Sequence, residues 1–552
     1  MAKLLASVQD LRLSFGEREL LHIDNLEIFD GDRIGLIGEN GAGKSTLLSL
    51  LAGSRVPDEG TVRLLCEPAL IGQQGAAADA EDRHISSLFR APEEHGGLSG
   101  GEQTRRRIAS AFSSRTRLLL ADEPTTDLDG QGIALLTRHL RDYPGALVLV
   151  SHDRNLLRTI CRRIWYLEDG HVTDFPGGYD AFRAEQDRQR ERAQFEYDQY
   201  RGEQARLKAA AQKMAERASS VRKAPSRMGN SEARLHTREW TDAVLQLSHA
   251  KRTLQNRMEQ MEVKEKPRSL PDIRMKLGVA HPVGARTVLG LRCDSLEAGG
   301  TPLLQNTALS LPTGSKTALL GPNGCGKTTL LSVLADSPPK GVTFRGNVRF
   351  NPEARVGWFD QHHDRTLRAD RTVLENIMEE SSLPESLART VLACLGFPRE
   401  DAFKPVSMLS GGERAKTALA RLLLMDCNLL ILDEPTNHLD LFTLEALEEL
   451  LTGYGGTLLF VSHDEAFVNR VATRTVRFEN CALAAFEGTP AQQAETARAR
   501  ESGRQQMDIT LLEMRMADLA ARMAKPKKGD RPDQLNAEYL ALAEELRLLK
   551  QS

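Results

Sequence analysis

Two glycine-rich segments have the residue types and spacing that bind phosphate groups. The first, Gly38-Glu-Asn-Gly-Ala-Gly-Lys44-Ser45, follows an apolar strand and precedes an apolar helix. In this setting backbone N–H groups close around phosphate oxygens, Lys44 reaches the β and γ phosphates, and Ser45 binds Mg²⁺. The second, Gly321-Pro-Asn-Gly-Cys-Gly-Lys327-Thr328, repeats the loop. The expected phosphate-binding residues are Gly38, Asn40, Gly41, Gly43, Lys44, Ser45, Thr46, Gly321, Asn323, Gly324, Gly326, Lys327, Thr328 and Thr329.

Further along each half, an apolar strand ends in an aspartate followed by a glutamate. One strand ends in Asp122-Glu123 and the other in Asp433-Glu434. We expect each aspartate to lie near Mg²⁺ and each glutamate to polarise the attacking water. His152 and His463, each in a Val-Ser-His-Asp segment, would bond the γ phosphate and sense its loss. These residues predict hydrolysis of a nucleoside triphosphate.

The chain contains an internal repeat that places these motifs in the same order twice. Leu98-Ser-Gly-Gly-Glu102 also recurs, as Leu409-Ser-Gly-Gly-Glu413. The two lysines are 283 positions apart, the candidate glutamines Gln74 and Gln361 are 287 apart, and the signature serines are 311 apart. The repeat is therefore 24 residues shorter in its first copy, between the glutamine and the signature. We expect a smaller helical subdomain there.

Both halves resemble the nucleotide-binding cassette of ABC ATPases, because the Leu-Ser-Gly-Gly-Glu motif is specific to that superfamily. The resemblance covers about residues 1–182 and 286–488 and implies two α/β P-loop NTPase domains that bind ATP and Mg²⁺. It also implies an intramolecular cassette dimer within a monomer, paired head to tail, with Gln74 and Gln361 as further Mg²⁺ ligands. The first implied site joins Lys44, Ser45, Gln74, Glu123 and His152 to Ser410, Gly411 and Gly412. The second joins Lys327, Thr328, Gln361, Glu434 and His463 to Ser99, Gly100 and Gly101.

The two copies differ where cassettes contact the adenine and after the catalytic glutamate. Phe15 lies 23 residues before Gly38, where cassettes place an aromatic residue on the adenine, but the equivalent residue in the second copy is Ala298. Thr126-Asp127 in the first copy replaces Asn437-His438 in the second. We therefore expect two inequivalent ATP sites.

Residues 183–285 separate the two cassettes and contain two stretches with a heptad apolar pattern. The pattern falls on Ala193, Tyr197, Tyr200, Gln204, Leu207, Ala211 and Met214 in the first stretch and on Trp240, Val244, Leu247, Lys251, Leu254, Met258 and Met261 in the second. The stretches are predicted to pair as an antiparallel coiled coil, with a tip at 219–231 that holds Pro225 and Gly229. Residues 201–238 carry ten Lys and Arg side chains against three Glu, a balance of +7. The charge pattern alone also fits a solvated coiled coil. If the tip contacts RNA, the expected contact residues are Arg222, Lys223, Arg227 and Met228.

Residues 489–552 carry a second pair of heptad stretches around the sequence Lys525-Pro-Lys-Lys-Gly-Asp-Arg-Pro532. A helical hairpin is predicted. Two interpretations remain open: a packing or dimerisation tail, and a basic turn that contacts RNA.

Composition restricts the class of protein. The 552 residues contain 73 basic and 76 acidic side chains, so the total charge does not indicate a partner. Seven cysteines without a Cys-x-x-Cys pair favour a reducing cytoplasm over a disulfide framework. No apolar run approaches the ~18 to 20 residues that cross a bilayer, and no signal-peptide pattern is present, so no membrane association is expected.

Two cassettes in one chain, with a charged helical linker between them, resemble the ABC-F family. Gly177-Gly-Tyr-Asp-Ala-Phe182 is similar to that family's junction with the linker. The resemblance implies a protein that binds the large ribosomal subunit at the tRNA exit site and aims its linker at peptidyl-tRNA, ribosomal RNA and the peptidyl transferase centre. The tip loop and the shortened first cassette resemble the antibiotic-resistance branch, which protects translation. The alternatives are a housekeeping translation factor, a DNA-repair ATPase and an efflux ATPase.

Overall fold

The computed structural model describes residues 3–16, 18–72, 83–89, 100–220, 230–262, 264, 281–360, 366–381, 383–397, 400–437, 439–524 and 532–551. The chain forms two compact units. The first comprises Met1–Asp127 and Ile133–Met275, and the second comprises Leu128–Gly132 and Lys276–Ser552.

The strands of the first unit form two sheets. The strands are β1 (Leu4–Phe15), β2 (Arg18–Phe29), β3 (Arg33–Gly38), β4 (Glu59–Leu64), β5 (Pro68–Ile71), β6 (Leu118–Asp122), β7 (Ala146–Val150), β8 (Arg163–Glu168) and β9 (His171–Phe175). One sheet has the order β5-β6-β7-β3-β8-β9 and is parallel except for its last pair. The other has the order β2-β1-β4 and is antiparallel. Every residue of β6 and β7 is buried, which explains why both strands are apolar apart from Asp122 at the end of β6.

Seven α-helices of the described residues lie wholly or mainly in the first unit. They are α1 (Lys44–Leu51), α2 (Arg83–Leu88), α3 (Gly100–Ser113), α4 (Gly130–Arg141), α5 (Arg154–Ile160), α6 (Tyr179–Ser220) and α7 (Asn230–Glu259). Leu47, Leu48 and Trp165 belong to one buried cluster that spans both sheets. This packing holds the loop before α1 at the carboxyl end of β3, where parallel sheets bind ligands.

The second unit repeats this topology. Its strands are β10 (Thr287–Ala298), β11 (Thr301–Pro312), β12 (Lys316–Leu320), β13 (Val342–Phe350), β14 (Val356–Phe359), β15 (Leu429–Asp433), β16 (Thr457–Val461), β17 (Arg474–Glu479) and β18 (Ala482–Glu487). The sheets have the orders β14-β15-β16-β12-β17-β18 and β11-β10-β13. Its helices are α8 (Lys327–Leu334), α9 (Val373–Met378), α10 (Glu385–Cys394), α11 (Gly411–Leu424), α12 (Leu441–Gly453), α13 (Glu465–Val471), α14 (Pro490–Ala524) and α15 (Pro532–Gln551). The predicted fold class is confirmed in both units.

The helical subdomains differ between the two units. In the described part of the second unit, α9, α10 and two 3-10 turns at Asp401–Phe403 and Val406–Met408 lie between β14 and α11. In the described part of the first unit, only α2 lies between β5 and α3. The described part of the first copy therefore contains less of the helical layer that is present in the second.

The long helices α6 and α7 pair antiparallel, as ion pairs along their length show. Glu203 Oε1 lies 3.6 Å from Arg257 Nη2, and Glu196 Oε2 lies 3.9 Å from Lys264 Nζ, just beyond the end of α7. Leu207 and Ala211 are buried in the seam, as the heptad pattern predicts. Gln204, which the same pattern places in the seam, is exposed and bonds Tyr200 Oη instead. The tip itself lies outside the described residues.

The base of α6 is anchored to the first unit. The helix begins at Tyr179, which is 2% exposed, and the Phe182 ring lies 5.4 Å from that of Tyr166 and 5.8 Å from that of Phe175. Arg158 Nε donates to Asp180 Oδ1 at 2.8 Å. The long helix is therefore joined rigidly to β8 and β9.

The helices α14 and α15 form the predicted C-terminal hairpin, with Leu512, Leu519 and Leu535 buried. The basic turn between them is outside the described residues. No helix in the described part of the chain is long and apolar enough to span a membrane.

Candidate nucleotide sites

Each phosphate loop turns into its helix through a glycine in the left-handed region. Gly43 has φ 107° before α1, and Gly326 has φ 103° before α8, a conformation that other residues rarely adopt. Lys44 Nζ donates to the carbonyls of Gly38 at 2.8 Å and Glu39 at 2.9 Å. Lys327 makes the equivalent bonds in the second unit. Each ammonium group is thus held across its loop, beside the helix N-terminus that attracts phosphate.

The strand aspartates meet the hydroxyl residues of the phosphate loops. Asp122 is hydrogen-bonded to Ser45, and Asp433 to Thr328. Burial raises the pKa of both carboxyls, while the hydrogen bonds and the nearby lysines act in the opposite direction. The Oδ1 atom of each aspartate is buried without a hydrogen-bond partner.

These oxygen donors fit Mg²⁺, which prefers hard oxygen ligands and keeps water and nucleotide phosphate in its coordination shell. The described residues contain no cluster of three His, Cys, Asp or Glu side chains. When bound, the ion would neutralise charge on the phosphates. Ser45 with Asp122 and Thr328 with Asp433 would hold it.

The catalytic candidates Glu123 and Glu434 adopt an unusual backbone conformation. Their φ angles are 48° and 50°, in the left-handed region that residues other than glycine seldom occupy. Backbone bonds hold them there, because the Glu123 N–H donates to Val150 O at 2.9 Å and the Glu434 N–H to Val461 O at 3.0 Å. Strained residues of this kind cluster at active sites, where surrounding structure enforces them.

A histidine lies against each of these glutamates. His152 Nε2 is 3.2 Å from Glu123 Oε1, and the His152 backbone N–H donates to Glu123 Oε2 at 3.4 Å. His463 and Glu434 repeat the arrangement at 3.2 and 3.3 Å. The sequence analysis assigned the glutamate and the histidine of each pair to the same ATP site. The structure brings the two residues of each pair into contact.

Burial dominates the electrostatics of both pairs. It raises the pKa of the Glu123 carboxyl, against the attraction of Lys44. In the second unit burial lowers the pKa of His463 to about 4, and Lys327 lowers it further while Asp129 opposes the shift. The His463 imidazole is therefore neutral at pH 7 and can donate one hydrogen bond while accepting another.

The signature motif of the second unit forms a helix cap. Ser410 Oγ accepts a bond from the Glu413 N–H at 3.3 Å, and Glu413 Oε2 accepts one from the Ser410 N–H at 2.8 Å. This reciprocal arrangement is a capping box. It was missed at the sequence level, although Ser-x-x-Glu before an apolar helix is its signal. The cap presents Gly411 and Gly412 at the N-terminus of α11, which favours anions.

Of the first Leu-Ser-Gly-Gly-Glu motif, the structure describes the residues from Gly100 onward, at the start of α3. A side chain at Gly100 would come within 2.7 Å of Asp127 Oδ2. Asp127, one of the two residues that distinguish the copies, is therefore packed against the signature of its own unit.

The aromatic candidate for adenine binding is half exposed. Phe15 is 50% exposed, and the Arg55 guanidinium lies 4.3 Å from the centre of its ring. Arg55 was missed at the sequence level, since no local motif marks it. Ala298 ends β10 in the second unit and has no ring to stack.

A further acidic residue lies near the second phosphate loop. The segment Leu128–Gly132 belongs to the second unit, and Asp129 Oδ2 accepts a bond from the Asn323 N–H at 3.5 Å. Sequence reasoning missed this residue too. Gln74, Ser99, Gln361, Arg222, Lys223, Arg227 and Met228 lie outside the described residues. Their assignments remain predictions.

Comparison with known proteins identifies the family. Models described as "ABC transporter" match residues 21–93 and 304–437, and a further model with that description matches residues 165–235. "Ribosome protection protein VmlR" of Bacillus subtilis (strain 168) is 33% identical over 466 residues, covering 83% of this chain and 83% of VmlR.

Two other relatives show similar identity. "Erythromycin resistance ATP-binding protein MsrA" of Staphylococcus epidermidis is 32% identical, covering 82% of this chain and 93% of MsrA. "ATP-binding protein Uup" of Haemophilus influenzae is 31% identical, covering 86% and 79%. Among solved structures, "RNase-L Inhibitor" matches with a TM-score of 0.58 at 19% identity, covering 89% of this chain and 93% of that one, which supports the fold. The chain belongs to the ABC-F family of ABC ATPases.

Proposed function

We propose that this ATPase binds the ribosome at the tRNA exit site and protects translation from antibiotics, with its linker reaching peptidyl-tRNA and the peptidyl transferase centre. The observation that carries the proposal is the paired helices α6 and α7. At ~1.5 Å per residue, the 42 residues of α6 span roughly 63 Å. The +7 balance of residues 201–238 is concentrated toward the far end of that hairpin, which suits RNA.

The residues of each cassette have distinct roles in this proposal. Lys44 and Lys327 hold the ATP phosphates, and the aspartate and hydroxyl pairs hold Mg²⁺. Glu123 and Glu434 polarise the attacking water, while His152 and His463 orient the glutamates and respond to the γ phosphate. Hydrolysis then releases the protein from the ribosome.

The names of two relatives support the resistance branch, since VmlR is a ribosome protection protein and MsrA an erythromycin resistance protein. A housekeeping role in translation is the second candidate, because Uup and "Putative ATP-binding protein YdiF" are almost as similar. Both candidates place the protein in the cytoplasm, where ribosomes act. They differ in whether the linker tip counters a drug.

Co-sedimentation with purified ribosomes tests the part of the proposal that both candidates share. Wild-type protein and a Glu123→Gln/Glu434→Gln variant are each pelleted with ribosomes in three samples: with ATP, with ADP and without nucleotide. We expect the variant to pellet with ribosomes only when ATP is present, because it binds ATP without hydrolysing it. Pelleting that is equal with ATP, with ADP and without nucleotide would contradict an ATP-controlled ribosome factor.

A further inference from the structure

We propose that the outer face of the β11-β10-β13 sheet binds the phosphate backbone of RNA. The face borders a groove of about 670 Å³ lined by Arg292, Arg349 and Arg474 and by the small residues Gly290, Ala308 and Ser310. We call this feature the arginine groove. The proposal rests on the proposed function, because it identifies one surface by which the second unit would hold the ribosome.

The strand register explains why the arginines converge. Arg292 on β10 pairs with Asn347 on β13, and Gly290 pairs with Arg349. Residues two apart on a strand share a face, so Arg292, Arg349 and Asn347 lie on one side of the sheet. Small residues occupy the equivalent positions of β11, which leaves room above the sheet between the guanidinium groups.

Arg474 forms the third side of the groove and is held in place. Its Nη1 donates to Ser310 O at 2.6 Å, its Nε lies 3.1 Å from Glu487 Oε1, and its side chain is 14% exposed. Arg292 is by contrast 84% exposed. No ion pair involves Arg349 within the described part of the chain. Two of the three guanidinium groups are therefore accessible to a ligand, beside one that is fixed.

The equivalent face of the first unit shows that the fold does not require this charge. Ser7 of β1 pairs with Glu27 of β2 and with Arg63 of β4. At the equivalent position of the second unit, Gly290 of β10 pairs with Ser310 of β11 and with Arg349 of β13. Gln9 stands where the second unit has Arg292. The same sheet therefore folds with fewer cations and with an acid on its face.

Carboxylates also neutralise a partly buried arginine of the first unit. Arg163, the equivalent of Arg474, bonds Asp174 through Nε at 2.8 Å and lies 3.2 Å from Asp32 through Nη1. The second unit has Ala485 and Ser315 at the positions of those two acids. Glu27, Asp32 and Asp174 of the first unit thus correspond to the uncharged residues Ser310, Ser315 and Ala485 of the second unit. The positive charge of the arginine groove is specific to the second unit.

Two acids near the groove only partly offset this charge. Asp294 Oδ1 is 3.9 Å from Arg292 Nε, and Glu487 contacts Arg474. Their side chains are 63% and 82% exposed, and exposed ion pairs contribute little because water screens them. Guanidinium groups bind phosphate oxygens in a bidentate manner. A groove with several such groups fits the repeated phosphates of an RNA strand.

The experiment measures the salt dependence of ribosome binding. Arg292→Gln/Arg349→Gln removes two accessible cations, and Gln9 shows that the equivalent sheet of the first unit has a glutamine at the position of Arg292. Binding of wild type and variant to purified ribosomes is measured with ATP at several KCl concentrations. We expect roughly tenfold weaker binding and a slope of log K against log[KCl] that is smaller by about 1.4 to 1.8. The matched control is Arg63→Gln, on the equivalent face of the first unit. This variant should bind ribosomes as tightly as wild type.

A second variant guards against misfolding. Ser310→Glu/Ala485→Asp installs the acids that the first unit carries at these positions, and it should weaken binding in the same salt-dependent way. The ATP hydrolysis rate without ribosomes should remain at the wild-type value in all variants. Unchanged binding by both groove variants, or weaker binding with an unchanged salt slope, would overturn the arginine groove alone. Absence of wild-type binding would overturn the proposed function and the groove with it.

Discussion

His463 Nε2 lies 3.2 Å from Glu434 Oε1, and the backbone N–H of the same histidine reaches the other carboxylate oxygen at 3.3 Å. The histidine thus contacts both carboxylate oxygens, one through its ring and the other through its backbone N–H. Glu434 also has a left-handed backbone conformation, with φ 50°, of the strained kind that clusters at active sites. The first unit repeats this geometry with His152 and Glu123.

The first prediction concerns these glutamates. Glu123→Gln/Glu434→Gln should lower the rate of ATP hydrolysis by roughly 10² to 10⁴-fold, because the group that polarises water is lost. ATP affinity should stay within about threefold of wild type, since Lys44 and Lys327 remain. Phosphate release and equilibrium ATP binding are the measurements. If the double variant hydrolysed ATP at the wild-type rate, the group that polarises the water would have to be a different residue.

The second prediction uses the difference between the two adenine positions. Phe15→Ala should weaken ATP binding at the first site by about 1 kcal/mol, or roughly fivefold, through loss of ring stacking. Val56→Ala, which removes methyl groups from a residue that is 81% exposed, is the control and should have no effect. Each site is titrated with a fluorescent ATP analogue while the other is disabled by Lys→Ala. Equal affinities in all three proteins would exclude Phe15 from the adenine site.

The third prediction concerns a buried ion pair in the second unit. Lys416 Nζ lies 3.0 Å from Asp440 Oδ2, and the two side chains are 8% and 3% exposed. Lys416→Met should lower the free energy of unfolding of this unit by about 3 to 5 kcal/mol, because Asp440 stays buried without a counter-charge. Lys404→Met breaks a pair with Asp401 in which the lysine side chain is 49% exposed, so water screens it, and the change should cost at most about 1 kcal/mol. Urea unfolding of both variants at pH 7 tests the difference.

The same pair predicts a pH dependence. Burial alone would raise the pKa of Asp440, but Lys416 and the bonds from Thr443 hold it well below its usual range. A carboxyl with a lowered pKa stabilises the folded state above its unfolded pKa, about 3.9, and this contribution is lost as the pH falls below that value. Wild type should therefore lose more stability than Lys416→Met between pH 5 and pH 3, a range that is about one unit on either side of the unfolded pKa. If wild type and Lys416→Met lost the same stability over this range, the lowered pKa of Asp440 would be contradicted.

The fourth prediction concerns the anchor of the long helix. Phe182→Leu removes ring contacts to Tyr166 and Phe175 and should cost about 1 to 2 kcal/mol while keeping an apolar residue in the site. We expect near wild-type ATP hydrolysis but reduced protection of translation, because the hairpin is less rigidly joined to the sheet. Phe195→Leu, on the same helix and at a 62% exposed residue, is the control. If Phe182→Leu and Phe195→Leu reduced the protection of translation equally, the contacts of Phe182 with β8 and β9 would have no special role in it.

The sequence indicates the phosphate loops, the Asp-Glu pairs and the histidines because each motif is contiguous and its chemistry demands particular residue types, and their catalytic roles remain predictions. It predicted the hairpins because heptad spacing is a local signal. The Lys416–Asp440 pair, the Arg55–Phe15 contact and the arginine groove join residues from separate elements, and only strand register and packing bring them together. The left-handed backbone of Glu123 likewise has no sequence signal, since glycine is the residue expected at such a φ.

The most direct test of the central claim is cell-free translation in the presence of antibiotics that bind the peptidyl transferase centre. Wild-type protein is compared with a variant in which residues 221–229 are replaced by a Gly-Ser turn, which leaves α6 and α7 intact. We predict that wild type restores translation against at least one such drug, while the variant hydrolyses ATP and binds ribosomes but gives no protection. Undiminished protection by the variant would contradict the claim that the tip carries the function, and no protection by wild type would favour the housekeeping role.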